Sequence, residues 1–68
     1  MNVTETEFKY LKEQVTARMI QILVEEKEYS IDDALDKVYS SEIFEKLSNA
    51  ETGLFFQSPR YVLSYLPI

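Results

Sequence analysis

The first glycine in this chain is Gly53, it is also the only one, and no proline precedes Pro59. Everything before that point can run as helix without a glycine or a proline to interrupt it. Helix boundaries there must be set by capping side chains instead. The backbone punctuation is concentrated in Glu51 to Tyr61, reading Glu-Thr-Gly-Leu-Phe-Phe-Gln-Ser-Pro-Arg-Tyr. Gly53 is the expected end-stop of a helix running through Phe44, Leu47 and Ala50. Ser58 followed by Pro59 reads as the next helix start, because the hydroxyl accepts from first-turn N–H groups and proline sits where a missing N–H costs nothing. Between stop and start, Leu54, Phe55 and Phe56 carry more apolar area than a solvated loop would. Gly53, Ser58 and Pro59 are therefore the expected structural residues of a block that fixes how the helices meet.

Upstream, the caps divide the chain. Thr4 and Glu7 have capping-box spacing, so a first helix should begin there and continue to about Lys27 or Glu28. Phe8, Leu11, Val15, Met19 and Ile22 recur at steps of three and four and form its core stripe, and Glu5 and Lys9 form a favourable surface pair. Ser30 with Asp33 repeats the capping spacing and starts a shorter helix whose face is Ile31, Ala34, Leu35 and Val38. Ser40 and Ser41 offer the next N-cap, with Ile43, Phe44 and Leu47 as the buried face. After the central block, Tyr61, Val62, Tyr65 and Leu66 form one face of a closing helix, with Leu63 displaced from it and Pro67 preventing continuation.

At 68 residues with a formal charge of −5 and neither cysteine nor histidine, the composition removes whole classes of chemistry. Disulfides, the usual zinc sites, thiol nucleophiles and histidine acid-base catalysis are all excluded. Asp32, Asp33 and Asp36 lack the glycine and the further oxygen ligands of a calcium loop and read as a solvated helix start. No cofactor is expected. The acidic balance opposes loose binding to nucleic acid or to an anionic membrane. The N-terminus has neither the charge nor the apolar run of a signal peptide, and no window is long enough for a membrane span, so the chain reads as cytoplasmic.

The apolar pattern exceeds what a single small core requires. At about 100° per residue, Tyr10, Ala17, Ile20 and Val24 fall opposite the main stripe of the first helix. Two arrangements would cover them: later helices wrapping the long one on two sides, or a partner chain. The closing helix has a similarly wide arc, and a chain of this size is near the limit at which one core suffices, so a homodimer or an obligate protein partner is expected. Phe56, Tyr61 and Tyr65 are the preferred partner anchors. The competing placement puts the two tyrosine rings in the core with their hydroxyls in water.

The run Thr52-Gly53-Leu54-Phe55 with Ser58-Pro59 and Tyr61, following a short acidic helix pair in a chain of this size, resembles a family of short bacterial proteins of unknown function. Members often carry tyrosine where this chain has Phe55, which weakens any role for a hydroxyl there. The resemblance implies a companion of neighbouring genes, some of which encode ADP-ribosyltransferase-like toxins, and hence an antitoxin-like or accessory subunit. It brings no catalytic residues.

The expectation is an all-α fold: a helical domain over residues 1–68, built as a small bundle of about four helices with a long first helix and a short C-terminal one. The leading function is a non-enzymatic protein-protein interaction module. The alternative is a helix-turn-helix-like DNA-binding regulator acting as a dimer or with a partner, which the tight joint between the second and third helices raises and their acidity opposes. An enzyme would have to work with carboxylates and tyrosines alone.

Overall fold

A computed structural model describes residues 3–67, so the domain range of 1–68 runs past it at both ends. It is all-α, with helices α1 (Glu5–Glu26), α2 (Ile31–Tyr39), α3 (Glu42–Leu47) and α4 (Pro59–Leu63), and two short 3-10 turns, Ala50–Thr52 and Leu54–Phe56, between α3 and α4. The 22 residues of α1, at about 1.5 Å each, account for most of the 37 Å long axis. The other elements are too short to stand alone; α2, α4 and the second 3-10 turn dock on α1, and α3 packs on α2 and the 3-10 turns.

Each α-helix starts where a hydroxyl can satisfy a free N–H. Thr4 Oγ1 accepts from Glu7 N–H at 3.1 Å while the Glu7 carboxylate accepts from Thr4 N–H at 2.9 Å, a complete capping box. The Thr4 backbone N–H, and after it the Thr4 hydroxyl, hold the Glu7 carboxyl below its usual pKa by hydrogen-bonding its ionised form. Ser30, Ser41 and Ser58 cap α2, α3 and α4 by the hydroxyl half of this arrangement alone, accepting from the N–H groups of Asp33, Phe44 and Tyr61, with Pro59 in the first turn of α4. Of the paired serines it is Ser41 that caps α3. Its hydroxyl also donates to the Val38 carbonyl at 2.6 Å, so one side chain closes α2 and opens α3.

The helix ends required corrections. Gly53 does adopt positive φ, at 71°, but it does not close α3. That helix stops at Leu47, and Asn49 takes an extended conformation in which its side-chain oxygen accepts from Glu51 N–H at 3.0 Å. An asparagine offering the backbone this local partner competes with helix continuation. Gly53 instead separates the two 3-10 turns. The end of α1 uses positive φ without glycine: Glu28 stands at 61°, and Tyr29 N–H then reaches the Leu23 carbonyl at 3.1 Å.

The core is one cluster containing Val15, Met19, Ile22 and Leu23 of α1, Ala34 and Val38 of α2, Ile43 and Leu47 of α3, Phe55, and Val62, Leu63 and Leu66 at the C-terminal end. Phe8 and Leu11 pack against it, which completes the α1 stripe. Two face assignments fail. On α2, Ala34 and Val38 point inward whereas Ile31 and Leu35 are exposed. On α4, Leu63 is core, and Tyr61 and Tyr65 are 46% and 57% exposed, so their rings are outside it. A five-residue helix with apolar groups on most of its circumference has no periodicity to choose its inward face, and here the choice is made by docking against α1.

Candidate interaction surfaces

The short C-terminal helix builds the first surface. With Val62, Leu63 and Leu66 in the core, Tyr61 and Tyr65 are left side by side on the outside, one helical turn apart. Their rings meet edge to face at 5.4 Å and 81°, and their hydroxyl oxygens lie 2.9 Å apart. The shared hydrogen bond favours the protonated phenol and raises the Tyr61 pKa above the usual tyrosine value. One hydroxyl donates to the other, which leaves the pair with a free donor and free acceptor positions above two half-exposed rings. Helix α4, which carries Tyr61 and ends just before the turn that holds Tyr65, is clamped to α1 by a two-pronged pairing of the Arg60 guanidinium with the Glu26 carboxylate; Arg60 Nη1 donates to Glu26 Oε1 at 2.9 Å and Nη2 to Oε2. The same pairing lowers the Glu26 pKa and raises that of Arg60.

Phe56 is 52% exposed, and its ring lies on Phe55 at 4.4 Å rather than on either tyrosine. The structure therefore brings Tyr61 and Tyr65 together and leaves Phe56 as a separate apolar point. Gly53, Ser58 and Pro59 stand in backbone roles, as a left-handed hinge, an N-cap and a first-turn proline. Thr52, the first residue of the Thr52-Gly53-Leu54-Phe55 run, belongs with them, although the sequence assigned it no structural role. Its hydroxyl lies 2.8 Å from the Lys46 carbonyl and 2.9 Å from that of Asn49, tying the block to the end of α3.

A second surface runs along α1 and α2. Because only a short turn joins them, α2 folds back beside α1, and a groove between them and α3 is lined by Lys12, Ala17, Ile20, Tyr39 and Phe44 among others. Of the α1 residues expected to be covered from two sides, Ile20 and Val24 pack partly against the core, whereas Tyr10 and Ala17 remain exposed. Alongside them α2 presents Ile31, Leu35 and Tyr39 at four-residue steps, all exposed. The signal was present in the sequence as five apolar residues on a nine-residue helix, more than one neighbour can cover.

Among the described residues there is no cluster of three or more potential metal ligands, and no helix is long and apolar enough to cross a membrane. Comparison with protein-family models, curated proteins and solved structures finds no match to this chain.

Proposed function

We propose that the chain is a non-enzymatic protein-protein interaction module, serving as an accessory or antitoxin-like subunit of a neighbouring gene product. The observation that carries this reading is the exposure of Tyr10, Ile31, Leu35, Tyr39, Phe56, Tyr61 and Tyr65 on so small a protein. Large aromatic groups are the side chains that contribute most to binding when a partner desolvates them, and surrounding carboxylates steer and select that partner. Tyr61 and Tyr65 form the preferred anchor pair, with Phe56 as a third point. The family resemblance makes an ADP-ribosyltransferase-like protein the first partner to try, and a second copy of the chain the other.

The regulator reading is weaker on physical grounds. Helix α3, in the position of a DNA-reading helix, has six residues, about 9 Å, buries Ile43 and Leu47, and carries Glu42 and Glu45 in its first turn. Phosphate contact requires the opposite charge.

The test is co-expression of the tagged chain with its neighbouring gene. The neighbour's product is expected to co-purify, and Tyr65→Ala to weaken the complex more than Lys46→Ala, with circular dichroism confirming that each variant is folded. Duplex DNA is expected not to bind at physiological salt. Binding of DNA by the chain alone, controlled by Lys46 or Arg60 and steeply salt-dependent, would overturn the reading.

A further inference from the structure

We infer that the α1/α2 face is a docking groove for a cationic amphipathic helix. This rests on the interaction reading and adds to it a surface distinct from the tyrosine pair, together with the chemistry of its occupant.

The shape of the groove argues for a helix. On α1 the apolar row is Ala17, Ile20 and Val24, spaced i, i+3 and i+7, of which Ala17 and Ile20 line the groove; on α2 Tyr39 lines it, and Leu35, one turn earlier, is exposed on the same helix face. Two helices lying side by side leave a furrow between their side-chain ridges, and a third helix fills such a furrow with ridges of its own. No strand is present among the described residues, so there is no sheet edge that would recruit an extended peptide. From Ala17 to Val24 the row is about 10 Å long, which matches roughly two turns of a partner helix with apolar residues at i, i+3 or i+4, and i+7.

The charge distribution argues for a cationic partner. Asp36 stands three residues before Tyr39, which lines the groove, and Asp32 three before the exposed Leu35, so each lies beside its apolar neighbour on the α2 surface. Glu13 lines the groove itself and stands four residues before Ala17 on α1. All three carboxylates are exposed. The nearby lysines face elsewhere or are engaged. Lys27, three residues after Val24, lines a separate groove with Arg60 and Leu63, and Lys37 lines one with Tyr65 and Pro67. Lys12 does reach this groove, but its ammonium lies 5.8 Å from the Phe8 ring centroid and 6.0 Å from that of Phe44. Pairing two copies through this face would bring acidic rims together, whereas Lys and Arg flanking an apolar helical stripe would meet them with opposite sign.

The probe is a helical peptide with leucine at i, i+3, i+4 and i+7 and lysine at the flanking positions, titrated into isotope-labelled full chain and followed by NMR. Controls are the same composition scrambled and the same leucine pattern flanked by glutamate. Saturable shifts at Ala17, Ile20, Val24, Leu35 and Tyr39 are expected with the lysine peptide only. Asp32→Asn with Asp36→Asn should weaken binding roughly three- to tenfold and reduce its salt dependence. Leu35→Ala should weaken it about tenfold or more with the charges intact. Equal binding of the scrambled or glutamate-flanked peptide, shifts centred on Tyr61 and Tyr65, or concentration-dependent shifts on this face without peptide would each overturn the inference, the last by showing a second copy as the occupant. If the peptide fails here while Tyr65→Ala still disrupts a co-purified complex, the docking inference falls and the interaction module stands.

Discussion

Phe55 and Phe56 are adjacent and chemically identical, yet the structure gives them opposite environments. Gly53 in the left-handed region feeds a 3-10 turn, and at three residues per turn the side chains of Leu54, Phe55 and Phe56 diverge by about 120°, so only one can point squarely at α1. Phe55 does, at 2% exposure, with its ring edge-on to Phe8 at 4.9 Å and 89°. Truncating a buried phenylalanine to alanine costs about 3–5 kcal/mol. A 68-residue domain at about 0.05–0.15 kcal/mol per residue has roughly 3–10 kcal/mol in total, so Phe55→Ala should remove most of the stability. Phe56, at 52% exposure, has about half its transfer energy at stake plus part of its contact with Phe55, altogether about 1–1.5 kcal/mol. With a urea m-value of about 1 kcal/mol/M, the two midpoints should differ by about 1.5–4 M. Urea denaturation followed by circular dichroism measures both. Equal midpoint shifts, or a larger one for Phe56→Ala, would refute the inward placement of Phe55 and the role of Gly53 in setting it.

Four further outcomes are expected. Gly53→Val should destabilise by at least about 1 kcal/mol because a β-branched residue is forced to positive φ, and Ser58→Ala by about 0.5–2 kcal/mol through loss of the α4 cap, both read by chemical denaturation. Glu28→Gly should stabilise by roughly 0.5 kcal/mol, since relief of the left-handed penalty exceeds glycine's added chain entropy; a lowered thermal midpoint would contradict it. The Glu26 carboxyl titrates lower in the folded state because of Arg60, so its contribution is present above the ordinary carboxylate pKa and disappears as pH falls through the lowered value. Arg60→Ala should therefore flatten the acid side of the stability profile, and an unchanged acid limb would show that the pairing contributes nothing in solution.

What the sequence determined by itself is the local grammar of the fold. Thr4 with Glu7, Ser30, Ser41 and Ser58 with Pro59 mark helix starts because each cap is a hydrogen bond between residues three apart. The stripe from Phe8 to Ile22 was equally legible, since a helix of 22 residues repeats its pattern often enough to define one face. Gly53 was legible as a positive-φ position, but not as the hinge between two 3-10 turns, because the helix before it was stopped earlier by Asn49.

Tertiary structure decided the orientation of the short elements and hence the candidate surfaces. The segment from Pro59 to Leu66, of which only Pro59–Leu63 is helix, could have buried Tyr61 and Tyr65 or Val62 and Leu63, and over so short a stretch both arcs satisfy an apolar face. Its position beside α1, where Arg60 meets Glu26, places the aliphatic arc inward and leaves the tyrosines to pair outside. On α2, similarly, the turn through Glu28 sets which of two apolar rows meets α1, burying Ala34 and Val38 and exposing Ile31, Leu35 and Tyr39. The apolar surplus was countable from composition and periodicity, but its location was not. Location depends on which side of each short helix the long one occupies, and that is a relation between residues far apart in the chain.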